Sequence, residues 1–272
     1  MWIANQKLNS SQFESAKVLW FLYDISTPLV EGQLGSSWTN STIWGFHNQT
    51  SFNQSDLVKI LQYSKWLTGQ VVPAFKNDMI GNPSGSNNAE LFTSPFYHPI
   101  VPLLLASNIS GPSGTIYKNS YYSDVMAQIN LSFGQFNSLF GQYPSGLYAP
   151  EAAVSYGMIQ AVNNSGATWF QTAQATLENS GITAKAYGDS GSNVTTMENL
   201  YQPYMAVGPN NTTSYVFFRD GYVSGQWGFN YGSEPTWTAV DNFISYLKAI
   251  YNATPMSHHN QTVVEIFHCG DI

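Results

Sequence analysis

Charge is what this sequence has least of. Asp, Glu, Lys and Arg make up 9% of its 272 residues, against about 25% in a typical soluble domain. Nine basic residues face 16 acidic ones, for a net charge of −7. That leaves no basic footprint, which excludes nucleic acid as a partner. The single cysteine, Cys269, excludes an internal disulfide and a cysteine-built zinc site. There is no His-x-x-x-His spacing, and the His258-His259 pair falls in a polar turn, so no metal or other cofactor is expected. No apolar run reaches the ~18 residues of a membrane span. Residues 1–7 lead into a polar stretch instead of the apolar core of a signal peptide, so any export signal is expected outside this chain.

What is present is apolar and aromatic: 43% and 15% of the chain. That is enough to bury a sizeable core, and it excludes a disordered chain. Asn, Ser, Thr, Gln and Tyr replace charge on the surface. Asn-x-Ser/Thr sequons recur, among them Asn40, Asn108, Asn130, Asn193 and Asn252. They arise by chance in so Asn- and Ser-rich a chain, or they mark an exported glycoprotein. A surface with few carboxylates also loses little on acidification. An extracellular or cell-surface protein of an acidic environment is the expectation.

The pattern alternates strand and helix. Val18 to Tyr23 reads as a buried strand. Ser55 or Asp56 caps a helix with Leu57, Ile60, Leu61 and Ser64 on one face. Residues 90–93 suggest a short strand. Asp124 caps a helix carrying Met126, Ile129, Phe133, Phe136 and Phe140 and closed by Gly141. Ser155 caps a helix that ends at Gly166. Strands are expected at 168–172, 214–219 and 262–267. A helix is expected at 240–251, with Val240, Phe243, Ile244, Leu247 and Ile250 on one face. Such alternation implies a parallel sheet in an α/β fold, open or closed into a barrel. The connections at 34–54, 80–88, 108–121 and 174–200 are long and polar, which suits a binding face.

Two of the scarce acids directly follow expected strands. Glu151 lies in Tyr148-Ala149-Pro150-Glu151, and Asp220 in Phe217-Phe218-Arg219-Asp220. Catalytic groups of α/β barrels sit at such strand ends. Two acids there suit glycoside cleavage, although carboxylates that merely cap helix N-termini occupy the same positions.

Four motifs in order resemble glycoside hydrolase family 57. Pro28-Leu29-Val30-Glu31-Gly32-Gln33-Leu34 is similar to the family's Pro-x-Leu-x-Glu-Gln-Leu segment. Glu90, followed by His98-Pro99-Ile100-Val101-Pro102-Leu103-Leu104, is similar to its Glu-then-His-Pro-x-x-Pro-Leu-Leu region. Tyr148 to Glu151 is similar to Trp-x-x-Glu. Phe217 to Asp220 with Val223-Ser224 is similar to Phe-x-x-Asp-x-x-Leu-Ser.

The resemblance implies an incomplete (β/α)7 TIM-like barrel with long polar loops. It also implies retaining chemistry on α-glucans without a cofactor. Carried over, Glu151 is the nucleophile and Asp220 the acid/base, with carboxyls ~5–5.5 Å apart. His98 is implied in the substrate cleft, against the alternative of a core histidine between Tyr97 and Pro99. Glu90 is implied there too, against a buried carboxylate that orients its neighbours. Tyr148, Trp227 and Trp169 stack on glucose rings or belong to the core. Arg219 partners a cleft carboxylate or points to the other strand face.

The chain departs from the family at several points. No His-x-Pro strand precedes Val18, Gly225 stands where an acid is usual, and no Asp-Gly-Glu-Asn stretch follows Val264. Residues 1–272 are therefore expected to form one catalytic domain lacking its first strand and last motif. The competing reading is a non-catalytic glucan-binding or cell-surface protein, or an inactive fragment, on the same scaffold. A metal-dependent polysaccharide deacetylase lacks the paired histidines it needs. Oligomeric state is not legible.

Overall fold

A computed structural model describes residues 9, 10, 12, 15–19, 45, 46, 49–83, 85–110, 116–119, 121–255 and 262–266. The Pro28–Leu34 motif, the histidine pair, Cys269 and residues 20–23 lie outside them. The chain divides into two compact units, residues 1–89 and 90–272.

In the first unit, helix α1 spans Gln54–Asp78. Its cap is Asn53, two residues before the expected Ser55 and three before Asp56. The Asn53 Oδ1 accepts the Ser55 and Asp56 N–H groups at 2.8 and 3.2 Å, and Asp56 Oδ2 accepts the Asn53 N–H at 3.1 Å. This reciprocal box satisfies N–H groups that have no partner inside the helix. Leu57, Ile60 and Tyr63 bury against Val18, Phe46 and Phe52, whereas Leu61 is exposed.

The strand expected from Val18 is corrected, because residues 10, 12 and 15–19 are helical. Asn9 and Gln12 exchange backbone-to-side-chain hydrogen bonds of 3.0 and 2.9 Å. That is a helix start which the apolar run downstream concealed.

The second unit contains α2 (Val101–Leu105), a hairpin of β1 (Ser107–Ser110) and β2 (Ile116–Asn119), and α3 (Tyr122–Phe140). These are followed by β3 (Gly146–Tyr148), α4 (Tyr156–Ser165), β4 (Trp169–Ala173) and α5 (Gln174–Asn179). Then come α6 (Val194–Leu200), β5 (Tyr204–Val207), β6 (Thr213–Arg219), α7 (Gly221–Gly225) and α8 (Thr236–Ala253). The hairpin lies in the expected 108–121 loop, and α5 and α6 lie in the expected 174–200 loop. Helix α8 buries Tyr246 and Ile250 and leaves Val240 and Ile244 exposed, a face rotated from the expected one.

The main sheet has the order β3-β4-β6-β5 and stays open among the described residues. Strands β3, β4 and β6 are parallel, and single parallel bridges add Thr93 beside Leu147 and Glu265 beside Arg219. The five parallel segments thus follow one another across the sheet in chain order. Strand β5 is antiparallel to β6, so the expected all-parallel sheet is a mixed one. A tight turn at Pro209–Asn211 joins these two strands and leaves no room for a crossover helix.

Side chains alternate across a strand. Leu147, Phe170, Val216 and Phe218 therefore share one face, where they join the core with Ile129 and Phe133 of α3 and Met158 and Val162 of α4. Tyr148, Gln171 and Phe217 occupy one register row of the opposite face. Arg219 and Glu265 lie one row further toward the C-terminal edge.

Candidate active site

Glu151 stands on a turn just beyond the C-terminal end of β3. Pro150 starts the turn, and it closes through Ala152 N–H to Ala149 O at 2.8 Å and Ala153 N–H to Pro150 O at 3.0 Å. Glu151 and Ala152 both hold left-handed backbone, at φ 56° and 52°. L-residues with Cβ atoms adopt this region at a cost. Thr172 of β4 donates its hydroxyl to Ala152 O at 2.6 Å and so fixes the turn to the sheet. The Glu151 side chain itself is 61% exposed.

His98 approaches from the segment after Thr93 and also sits at positive φ, 53°. Helix α3 holds that segment. Ser132 donates to Ser94 O at 2.6 Å, and Gln128 accepts the Tyr97 N–H at 2.9 Å. The His98 ring lies over Tyr148, with centroids 5.8 Å apart and planes 29° from parallel. Its Nε2 is buried, has no hydrogen-bond partner, and lies 3.9 Å from Glu151 Oε1. That distance is too long for a hydrogen bond. The structure thus brings His98, Tyr148 and Glu151 together.

Asp220 leaves the same edge of the sheet, with β4 between its strand and that of Glu151. Two strand spacings put the backbones roughly 10 Å apart. Unlike Glu151, Asp220 is fully buried, at 0% exposure. Its Oδ2 accepts the Tyr201 and Tyr246 hydroxyls, both at 2.8 Å, and its Oδ1 accepts the Val223 N–H at 2.9 Å. It is the N-cap of α7. Burial pushes its carboxyl above the ordinary range. The Val223 N–H and the two phenols pull it back, and nearby Asp189 adds to the rise. Gln174 bridges Asp189 to the start of α7, donating to Asp189 Oδ2 at 2.7 Å and accepting the Gly221 N–H at 3.3 Å.

Alternation turns Arg219 away from Asp220, onto the face of Tyr148, beside Glu265. The Asp220 N–H donates to Glu265 O at 2.9 Å. The Glu265 carboxyl has a buried Oε2 without a hydrogen-bond partner. Burial pushes its pKa up to about 8, with Arg219 opposing.

Glu90 and Trp169 are elsewhere. Trp169 Nε1–H donates to Glu90 Oε1 at 2.9 Å. The Trp169 ring meets Phe92 and Phe217 edge-on, at 5.0 and 5.6 Å. Trp169 pairs with Gly146 at the start of the parallel strands. The pair therefore lies at the N-terminal edge, and the structure does not bring it to Glu151.

Trp227 lies seven residues past Asp220, on the helical turns that continue α7. It is half exposed and packs edge-on to Phe243 at 5.1 Å. With Tyr231, Glu234 and Phe243 it lines a cleft of about 380 Å³. Among the described residues no group of three His, Cys, Asp or Glu could hold a metal ion.

Sequence reasoning missed Tyr201, Tyr246, Asp189 and Glu265. One signal was available for α7: an acid followed by Gly221 suits an N-cap. Nothing local marks two tyrosines 19 and 26 residues away as partners of Asp220.

A family model described as Glycosyl hydrolase family 57 matches residues 3–272. No curated protein sequence matches the chain. Among solved structures, the chain is similar to a GH57 branching enzyme from Thermococcus kodakaraensis at 18% identity and TM-score 0.43, covering 80% of this chain and 36% of that one. It is similar to an α-amylase from Thermotoga maritima at 16% identity and TM-score 0.40, covering 79% and 33%. It is also similar to a 4-α-glucanotransferase from Thermococcus litoralis at 15% identity and TM-score 0.40, covering 63% and 22%. The chain thus spans about a fifth to a third of the length of these proteins.

Proposed function

The chain belongs to glycosyl hydrolase family 57, and on that premise we propose that it is a retaining glycoside hydrolase or transglycosylase acting on α-glucans. Its resemblance to barrel enzymes extends the reading to the fold. Five parallel segments adjacent in chain order suit one wall of a (β/α)7 barrel better than a doubly wound sheet, whose strand order reverses. In this reading residues 1–272 belong to one catalytic domain, exported to the cell surface or beyond.

One observation carries the chemistry. Glu151 is an exposed carboxylate on a left-handed turn at the C-terminal edge, beside a stacked His98–Tyr148 pair. Strained backbone persists where surrounding contacts over-determine it, and such places cluster at functional sites. Glu151 attacks the anomeric carbon and forms a glycosyl ester. Asp220 protonates the departing oxygen, then takes a proton from water or from an acceptor hydroxyl. Tyr148 is buried with His98 stacked over its ring, so it backs the site, and the buried His98 Nε2 lacks the partner that a sugar hydroxyl supplies. The Trp227 cleft is a candidate outer subsite.

The second reading is a glucan-binding protein without catalysis. It draws on Asp220, which is buried with three donors in place and must be uncovered before it meets a glycosidic oxygen. Maltooligosaccharide hydrolysis by the wild type and Glu151→Gln, measured alongside glucan binding, separates the two. Cleavage by the wild type alone supports the enzyme. Binding by both with cleavage by neither supports the binding protein.

A further inference from the structure

Both phenols on Asp220 meet one short turn, Tyr201 through a hydrogen bond and Tyr246 through ring packing. In residues 186–189, the Asp189 N–H donates to Ala186 O and Asp189 Oδ2 accepts the Ala186 N–H, both at 3.0 Å. Between them, the Tyr187 N–H donates to the Tyr201 hydroxyl at 3.0 Å. A hydroxyl that accepts from a fixed backbone N–H turns its own proton to the remaining acceptor, so the Tyr201 proton meets Asp220 Oδ2, which accepts the Tyr246 hydroxyl as well.

Gly188 lets the turn pack closely against Tyr222. A Cβ there would lie 2.5 Å from the Tyr222 ring, which stacks on Tyr246 at 5.5 Å and 12°. The Tyr187 ring packs edge-on to Tyr246 from another side, at 5.6 Å. Burial and the neighbouring Asp220 hold both phenols well above their ordinary 10, so they stay donors.

The two carboxyl oxygens are thereby made unequal. Oδ2 takes two donors and Oδ1 takes one, from Val223 N–H. A proton on Oδ2 would displace a phenol, whereas Oδ1 keeps a lone pair for it. We propose that Tyr201, aimed by the Tyr187 N–H, and Tyr246, packed between Tyr187 and Tyr222, are positioning residues that hold Asp220 and direct its proton to Oδ1. The inference rests on Asp220 being the acid/base. The titratable groups facing it are Tyr201 after α6, Tyr246 on α8 and Asp189 in the turn. Arg219 and Glu265 flank its backbone and occupy the other sheet face.

The test uses the full chain with Tyr246→Phe, Tyr201→Phe and Gly188→Ala. Two readouts are taken: the pH profile of kcat/KM on a maltooligosaccharide, and the Asp220 carboxyl titration followed by carbon NMR, assigned with Asp220→Asn. Losing a donor to the anion favours the protonated form. The NMR midpoint and the basic limb of the profile should both rise, by roughly one pH unit or tenfold in proton affinity. Gly188→Ala, which keeps both phenols in the chain but forces the Tyr222 ring against Tyr246 to shift, should move both in the same direction.

A drop in thermal stability with both readouts unmoved overturns the proposal and leaves the tyrosines a packing role. Should the wild type cleave no glucan while the NMR midpoint still rises, the positioning stands and the acid/base reading of Asp220 falls. Each tyrosine variant serves alone, so one that fails to fold does not remove the test.

Discussion

Glu151 and His98 face each other at 3.9 Å across the C-terminal edge of the sheet, each on backbone with φ above 50°. The carboxylate is exposed and its turn is tied to β4 through Thr172, so removing its charge should leave the fold intact. Glu151→Gln is expected to change stability by no more than about 0.5 kcal/mol. If Glu151 is the nucleophile, the same change lowers glucan hydrolysis by roughly a thousandfold or more. Thermal unfolding and steady-state kinetics on one preparation check both. Retained turnover would remove Glu151 from the mechanism.

Ala152 offers a test of the strain itself. At φ 52° its Cβ is crowded in a way that glycine avoids. Ala152→Gly should therefore stabilise the protein by about 0.5–1 kcal/mol, the reverse of the usual penalty. Denaturant unfolding decides it. A destabilised variant would mean the left-handed turn is not adopted in solution.

The legible part of this chain was its punctuation. Gly141 and Gly166 end α3 and α4 where the residue pattern said they should, and the strands at 169–173 and 213–219 fall within a residue of their expected positions. Apolar periodicity and glycine caps are local signals, and local signals survive folding. Two kinds of feature did not. Where a reciprocal side-chain bond competes with an apolar run, as at Asn9 and Gln12, the bond decides. Short elements such as α6 and β5 come from sequence too polar or too brief to show a period, and tertiary contacts form them. The site divides the same way. Glu151 and Asp220 were visible as acids after strands. The burial of Asp220 depends on Tyr201 and Tyr246, which no spacing connects to it, and the exposure of Glu151 on a left-handed turn that no local pattern announces.

Gly146 is needed for space, not for its dihedral angles. A Cβ there would meet the Trp169 ring at 2.2 Å, and Trp169 is held by Glu90 and by Phe92 and Phe217. Gly146→Ala must move the ring and stretch the Glu90 bond, costing about 1–3 kcal/mol as overpacking does. Tryptophan fluorescence should shift with the loss of stability. This edge lies opposite Glu151, so glucan affinity measured on the folded variant should stay unchanged. A large loss of affinity would place Glu90 and Trp169 in the binding site after all.

Glu265 sets a pH dependence of stability with a definite sign. Burial raises its carboxyl from an ordinary 4.5 to about 8, against the pull of Arg219. A folded state that disfavours ionisation is most stable where the group is protonated in both states. The contribution is thus complete below about 4.5 and is lost as pH climbs toward about 8. Buried Asp220, also raised, acts with the same sign from its ordinary 3.8 upward. Partial exposure of Glu265 discounts the full linkage to something on the order of 2 kcal/mol. The melting temperature should accordingly be higher at pH 5 than at pH 8, in keeping with a surface that carries few carboxylates. Glu265→Gln cannot ionise, so it should flatten most of that slope and be relatively more stable at pH 8. A melting temperature that rises from pH 5 to pH 8 in the wild type would mean that Glu265 is ionised in the folded protein and paired with Arg219.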